Sequence, residues 1–77
     1  MPRVQKISGK DLLKILCNHF GFTAYQAKGS HVKIKKFCRD GRVIVTVVPL
    51  HKELKTGTLL GILRDAQVDK NEFLRFI

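Results

Sequence analysis

Residues 31–35 alternate between polar and apolar side chains, and this alternation constrains the fold of the chain more than any other feature. The apolar Val32 and Ile34 point to one face of an extended strand. The intervening side chains point to the opposite face: His31, Lys33 and Lys35. Because an apolar strand face must be buried against another layer of secondary structure, the pattern predicts a sheet with one covered face and one open face. The polar side chains are expected on the open face or its rim, together with Phe37 and Ile44, which make that face mixed.

Two further strands and two turns complete the predicted sheet. The three strands, in chain order, are 22–28, 31–37 and 42–48. Gly29 and Ser30 separate the first two strands. Asp40 and Gly41 predict a two-residue hairpin turn before the third strand, with positive φ at both central residues. Pro49 cannot continue a central strand and marks the end of the third.

Apolar residues at helical spacing precede the strands and predict the first helix. They are Leu12, Leu13, Leu16, Cys17 and Phe20. Ser8 is placed to cap the start of this helix, and Asp11 resembles the acidic residue of a capping box. Gly21 is expected to end the helix in a left-handed conformation.

A second helix is predicted from residues 56–58, which offer caps, through about Val68. Another capping pattern at 69–72 opens a last turn. The apolar residues of that turn are Phe73, Leu74, Phe76 and Ile77. The chain, 1–77, is thus expected to be a single α+β domain of order α-β-β-β-α. Its three-stranded antiparallel sheet is covered on one face by the helices, and a short extra helical turn lies at the C-terminus.

Charge points to the class of partner. Fifteen Lys and Arg against six Asp and Glu give the 77-residue chain a net charge of +9. Self-repulsion of this size weakens a compact state, so a polyanionic partner is expected, and nucleic acid is the commonest one. A solvated basic surface without a dedicated ligand is the plainer alternative. No apolar run approaches the roughly 20 residues of a membrane span. Residues 1–6 precede no apolar segment typical of a signal peptide, so a cytoplasmic location is expected.

The cysteines predict neither a disulfide framework nor a metal site. Cys17 and Cys38 are too few for a framework and are expected to be free thiols, buried or half-buried. Cys17 and His19 are the closest pairing of possible ligands, but they lie two apart in a helix and therefore on different faces. Because no Cys-x-x-Cys spacing occurs, no metal site is expected. No small-molecule cofactor is expected either.

The predicted open face suits the cleavage of RNA. Without a metal, that reaction needs a base for the 2′-hydroxyl proton, an acid for the leaving oxygen, and cations near the charge that develops on phosphorus. Imidazole titrates near neutral pH and serves either proton-transfer role, which makes His31 the catalytic candidate. The candidate RNA-binding residues around it are Lys28, Gly29, Ser30, Lys33 and Lys35. Gly29 lets the backbone approach a ligand closely, and the others offer cations or a hydroxyl group.

Each of these signals also has a plainer interpretation. A lone histidine at the start of a strand is usually a surface residue. His51, in a basic loop, is an alternative candidate for the catalytic role. His19 lies at the end of a helix, where a histidine interacts favourably with the helix dipole. Tyr25 is either a base-stacking residue or a core or edge aromatic. At the level of function, a non-catalytic RNA-binding module and a domain that docks on an acidic protein are the alternatives.

Several short motifs, in their order and spacing, resemble one known family. They are 7–12 at the first helix, Gly21-Phe22 at the helix–strand junction, Lys28-Gly29-Ser30-His31 and Asp40-Gly41-Arg42 at the two hairpins, and 51–59 and 62–66 at the second helix. Over roughly residues 7–74, the chain is similar to the HicA (YcfA-like) toxins of bacterial and archaeal toxin–antitoxin pairs.

The resemblance implies a fold like the double-stranded-RNA-binding domain and the activity of an mRNA interferase, which cleaves RNA until a HicB antitoxin blocks it. It also implies that His31, the histidine of the Gly-Ser-His motif, is the catalytic residue. The candidates for the second proton-transfer group are Lys28, Lys33, His51, a water molecule and a second protomer. The sequence departs from the family at Thr56, where proline is common, and at Gln67, where glycine often follows the helix.

Overall fold

The computed structural model describes residues 7–77, which form an α+β fold. In chain order, the elements are α1 (Gly9–His19), β1 (Thr23–Lys28), β2 (His31–Phe37), β3 (Val43–Pro49), α2 (Thr56–Asp65), α3 (Lys70–Phe73) and a closing 3₁₀ turn (Leu74–Phe76). The strands form one antiparallel sheet in the order β1-β2-β3. This arrangement confirms the predicted fold class. Residues 1–6, to which the signal-peptide expectation refers, lie outside the described residues.

The core lies between one face of the sheet and the helical layer. Along β2 and β3, buried side chains alternate with more exposed ones. The buried strand residues are Val32, Ile34, Ile44, Thr46 and Val48. The apolar sides of α1 and α2 complete the same core, and Phe73 of α3 is fully buried within it. The helices therefore cover β2 and β3, as the strand alternation predicts.

Ile44 lies on the covered face, so its predicted place on the outer side of the sheet is wrong. Its side chain is 8% exposed. The reason is the register of the β2–β3 hairpin, in which Val43 pairs with Phe37 on the open face. Because side chains alternate along a strand, the residue after Val43 must point to the core. The open face carries Val43, Val45 and Val47 instead, all exposed.

The central strand β2 has the predicted bounds, whereas the two edge strands differ slightly. β1 begins at Thr23 instead of residue 22, and all six of its residues are exposed. These include Ala24 and Ala27, which pair with buried residues of β2. β3 begins at Val43 instead of residue 42, because Arg42 closes the turn. It ends with Pro49 rather than before it, because proline is tolerated on an edge strand, where its missing N–H is not needed for pairing.

The turn between β1 and β2 has the predicted two-residue length. Lys28 and His31 are Cα partners on either side of Gly29 and Ser30. Gly29 has a φ of +59°, as the first central position of a tight hairpin turn requires.

The turn between β2 and β3 is not the predicted two-residue turn. Gly41 has a φ of +89°, but Asp40 is not in the left-handed region. The Gly41 N–H donates to the Cys38 carbonyl over 3.1 Å, and the Cys38 N–H donates to the Arg42 carbonyl over 2.8 Å. Residues 39–41 therefore close the hairpin as a three-residue loop with its glycine in the left-handed position. The Asp40 carboxylate accepts from the backbone N–H and the Nε of Arg42, at 3.0 and 2.7 Å.

The first helix begins and ends as predicted. Ser8 Oγ accepts the Asp11 N–H over 3.0 Å, and Gly21, just beyond the last turn, has a φ of +79°. α1 has 11 residues, about half the length needed to cross a bilayer. Among residues 7–77, no helix has both the length and the apolar character of a membrane span.

The second helix ends earlier than predicted, at Asp65 instead of about Val68. Gln67 is the cause, because its φ of +57° lies in the left-handed region that terminates helices. It adopts this conformation at the position where glycine is common in the family that the sequence resembles. The N-cap is Lys55 rather than a threonine, and Thr56 is the first helical residue.

The C-terminal turn packs on the core and on the end of α1. Asp69 caps α3 through its side chain, as predicted, and Phe73 is fully buried. The Phe76 ring stacks on the His19 imidazole with centroids 4.1 Å apart, and it meets Phe20 edge-on at 5.5 Å. These aromatic contacts hold the last turn against the first helix.

The loop between β3 and α2 joins distant parts of the chain through backbone hydrogen bonds. The three donor–acceptor pairs are Leu50 N–H to Ser30 C=O at 2.6 Å, Gly9 N–H to His51 C=O at 2.8 Å, and Leu54 N–H to Ile7 C=O at 2.8 Å. The start of α1 comes so close to this loop that a Cβ on Gly9 would overlap the carbonyl oxygen of Pro49. Glycine is the residue that permits this approach.

Replacing Gly9 with alanine is expected to lower the free energy of unfolding by about 1–3 kcal/mol, because the backbone at Pro49 must move to admit the methyl group. The matched control is Gly61→Ala in α2, where an added Cβ would have no heavy atom of residues 7–77 within 4 Å apart from its chain neighbours and the backbone of its own helix. That substitution should raise the free energy of unfolding by about 0.5–1 kcal/mol. Urea unfolding measures both, and equal effects would contradict the close approach.

Replacing Gln67 with glycine is expected to raise the free energy of unfolding by about 0.5–1 kcal/mol, because glycine avoids the steric cost of a left-handed φ. Gln67→Ala retains that cost and should leave the stability close to that of the parent. Thermal unfolding of the three proteins tests the prediction. A glycine variant no more stable than the alanine variant would rule out strain at this residue.

Candidate functional site

A shallow groove lies on the open face of the sheet, beside the first hairpin turn. Its volume is about 440 Å³. The residues that line it are Gln26, Lys28, His31, Lys33 and Val47. Lys28 pairs with His31 across the β1–β2 hairpin. Gln26 and Val47 pair with Lys33 from its two sides. The structure thus brings the predicted Lys28, His31 and Lys33 together in one groove.

His31 is held in place by backbone pairing on both sides. It is the first residue of the central strand, and its Cα partners are Lys28 in β1 and Pro49 in β3. The carbonyl of the preceding residue, Ser30, accepts the Leu50 N–H. The side chain itself is exposed. A rigid element therefore presents the imidazole on the open face, which is the arrangement that precise chemistry favours.

The turn that precedes His31 leaves its backbone open to a ligand. Gly29 and Ser30 are both exposed. Apart from its two chain neighbours, no residue of the described chain has a heavy atom within 4 Å of a Cβ built on Gly29. Neither residue lines the groove, but both follow directly from Lys28 at its edge. A ligand that fills the groove can therefore reach the exposed backbone of the turn.

The charge of the groove suits an anion. Its five lining residues, all in the described part of the chain, supply two ammonium groups and an imidazole but no carboxylate. The net charge of +9 on the whole chain adds a favourable long-range field. Ammonium groups donate strong, charge-assisted hydrogen bonds to phosphate oxygens. The groove can therefore hold a phosphate group beside an imidazole.

A protein-family model described as the HicA toxin of bacterial toxin–antitoxin systems matches residues 9–68. The chain belongs to the HicA toxin family. The match runs from the start of α1 to beyond the end of α2, and it contains every residue of the groove. No match is found among curated proteins. Family membership gives this chain the toxin role in a toxin–antitoxin pair, as the sequence resemblance implied.

Lys35 of this HicA toxin lies outside the groove and contacts two aromatic rings. Its Nζ is 4.8 Å from the ring centroid of Tyr25 and 5.3 Å from that of Phe37. Both distances are within the range of cation–π attraction. Tyr25 is 45% exposed and Phe37 is 69% exposed. Lys35 thus occupies the predicted open face, but it belongs to a second group, termed here the aromatic cluster: Tyr25, Lys35 and Phe37.

Sequence reasoning missed two groove residues of this toxin, Gln26 and Val47. Ala24 and Gln26 pair with consecutive residues of β2, so Tyr25 between them is the extra residue of a β-bulge. Simple alternation would place Gln26 on the same face as Ala24, whereas the bulge turns it to the open face. Nothing in the sequence of β1 marks this bulge. Val47 was predictable in principle, because it alternates with Val45, but only once the register with Lys33 was known.

The other histidines and the cysteines of the toxin lie apart from the groove lining. His51 is exposed in the loop after β3, and His19 ends α1 in the helical layer. Cys17 and Cys38 are free, half-buried thiols, as predicted. Within residues 7–77, no three His, Cys, Asp or Glu side chains come together in a group that could hold a metal ion.

Proposed function

We propose that this HicA toxin is a metal-independent endoribonuclease, an mRNA interferase, in which His31 is the catalytic residue. The observation that carries the proposal is the placement of His31 in an open groove with Lys28 and Lys33. An imidazole beside two cations meets the requirements of RNA cleavage, which are proton transfer and stabilisation of charge on the phosphate. Membership of the HicA toxin family supports the same conclusion.

The chemistry assigns a role to each groove cation. The 2′ oxygen of one nucleotide attacks the adjacent phosphorus while the bond from phosphorus to the 5′ oxygen breaks. A base removes the 2′-hydroxyl proton, and an acid protonates the departing 5′ oxygen. His31 performs one of these transfers, and a second group in the groove or a water molecule performs the other. Lys28 and Lys33 bind the phosphoryl oxygens and offset the negative charge that grows there.

The RNA backbone is proposed to pass over the first hairpin turn and along β2. Gly29 offers an unobstructed approach to the backbone, and the Ser30 hydroxyl donates to a phosphate oxygen. Lys35 lies two residues beyond Lys33 on the same face and extends the track of cations. No small-molecule cofactor takes part in the proposed reaction.

A HicB-type antitoxin is the proposed inhibitor. The groove is open on a sheet face, so a partner that covers this face excludes RNA from His31. An acidic contact surface on the antitoxin would complement a toxin of net charge +9 and speed its association. Toxin, antitoxin and mRNA are proposed to meet in the cytoplasm.

Incubation of the purified protein with labelled mRNA in EDTA is expected to give cleavage, and His31→Ala is expected to reduce its rate about 10²–10⁴-fold, the usual contribution of general acid–base catalysis. The fold and the RNA affinity should change little, because the side chain is exposed. His51→Ala is the matched control, since His51 is also an exposed histidine but does not line the groove. It should retain most of the activity.

Cleavage by His31→Ala at the parental rate, in a nuclease-free preparation, would contradict the assignment of His31. Cleavage that stops in EDTA and returns with Mg²⁺ would contradict metal independence. RNA binding without cleavage by the parent would favour the non-catalytic RNA-binding module. Tight association with an acidic protein, combined with negligible RNA affinity, would favour a protein-docking domain.

Lys28→Gln and Lys33→Gln are each expected to weaken RNA binding and to reduce the slope of log affinity against log salt by about 0.7, the value for one lost phosphate contact on a single strand. Lys10→Gln is the control, because it removes an exposed cation from α1 in the helical layer. Fluorescence anisotropy over a salt series, in a His31→Ala background that prevents cleavage, measures the slopes. An equal reduction for Lys10→Gln would show that RNA binds the whole basic surface without preference for the groove.

A further inference from the structure

We infer that the aromatic cluster is a base-stacking platform, which holds the substrate as an unpaired RNA strand with bases against Tyr25 and Phe37. The inference rests on the proposed ribonuclease function and names the structural class of its substrate. It assigns a role to two aromatic residues that the proposed chemistry at His31 does not use.

The exposure of the two rings is the first observation. Phe37 is 69% exposed and Tyr25 is 45% exposed, although both are large side chains in a small sheet. An aromatic ring is usually among the most buried parts of a small domain, because it removes so much apolar area from water. Neither ring contributes to the buried core of this protein. Both are instead available on the face that carries His31.

Lys35 provides the second observation. Its ammonium nitrogen lies within cation–π distance of both rings, so the two rings flank one cation on the same face. Proteins that bind single-stranded nucleic acid combine these features: a basic track follows the phosphates, and aromatic rings stack on successive bases. Lys35 lies between the two rings, where its ammonium group can pair with the phosphate between two stacked bases.

The position of the cluster relative to the groove is the third observation. His31, Lys33, Lys35 and Phe37 follow one another on the open face of β2. A strand rises about 3.3–3.4 Å per residue, so this row extends about 20 Å from His31 to Phe37. A single strand that places its scissile phosphate in the groove therefore continues over the cluster a few nucleotides away. The bulge brings Tyr25 from β1 to the same row.

An unpaired strand fits these groups better than a duplex or an apolar protein surface. The bases of a duplex are stacked inside the helix, so proteins recognise duplex RNA by its shape and backbone rather than by ring stacking. An apolar protein surface on the cluster would bury the Lys35 ammonium without an opposite charge to pair with, which is costly. An unpaired RNA satisfies both kinds of group, since its bases cover the rings and its phosphates pair with the cation.

Fluorescence anisotropy in the His31→Ala background tests the platform with three probes: an unstructured RNA of mixed sequence, an abasic ribose-phosphate strand of equal length, and a hairpin duplex. Tyr25→Ala and Phe37→Ala are each expected to weaken binding of the unstructured RNA about 5- to 150-fold. Both should leave binding of the abasic strand unchanged, and Tyr25→Phe should retain the parental affinity. The matched control is Val43→Ala, which shortens an exposed apolar side chain of the same face that has no ring.

Equal losses on the base-containing and abasic strands would overturn the inference, as would an equal loss from Val43→Ala or tighter parental binding of the duplex. Alanine variants that keep their RNA affinity but lose affinity for the antitoxin would assign the cluster to the protein partner instead.

The two proposals can fail separately. Ring-dependent RNA binding without any cleavage leaves the platform standing and removes the ribonuclease. If a Tyr25→Ala, Phe37→Ala double variant cleaves RNA at an unchanged KM and the cleavage depends on His31, the ribonuclease proposal stands and the platform is removed.

Discussion

The two layers of this protein are held together at one place by backbone hydrogen bonds rather than by side chains. The loop that follows β3 accepts the Gly9 N–H through the His51 carbonyl, and its Leu50 N–H donates to Ser30. Backbone groups meet so closely here because Gly9 has no Cβ. The start of the helical layer, the end of β3 and the turn before the catalytic candidate thus share one junction. The placement of the open groove depends on it, although the junction contributes no side chain to the groove.

The sheet divides its residues between stability and function by face and by strand. β2 and β3 place mostly apolar side chains under the helices. The open face carries polar and aromatic side chains from β2 and exposed valines from β3. β1 is exposed along its whole length, so its side chains contribute almost nothing to the core. A strand that is free of packing constraints can carry Gln26 and Lys28 in the groove and Tyr25 in the aromatic cluster. The strand that stabilises the fold least therefore supplies much of the candidate binding surface.

The sequence predicted those features that depend on repetition along the chain. Three residues of one strand, His31, Lys33 and Lys35, were placed on one face because side chains alternate with a period of two. Ser8 and Gly21 marked the ends of α1 by their local hydrogen bonding and φ. The HicA resemblance, carried by motifs spread along the chain, was confirmed by the family match.

The features that escaped prediction each depend on a shift of one residue or on pairing across strands. Ile44 lies on the covered face instead of the predicted open face, because the β2–β3 loop is longer by one residue than a two-residue turn. Gln67 ended α2 early although it is not a typical left-handed residue. The place of Gln26 in the groove was not predicted, because it depends on the register between β1 and β2. A period of two along one strand does not show where an extra residue interrupts its pairing with the next strand. The alternation of one sequence therefore does not reveal a bulge or a longer loop.

The bulge at Tyr25 also limits self-association of the protein through the edge of its sheet. β1 is an edge strand with no helix over it, and a straight edge presents a row of unpaired N–H and C=O groups that another chain could join. The extra residue breaks the spacing of that row and increases the local twist. A neighbouring strand would lose its hydrogen bonds at this point. The irregularity that enlarges the candidate binding face therefore also makes the outer edge of the sheet a poor template for aggregation.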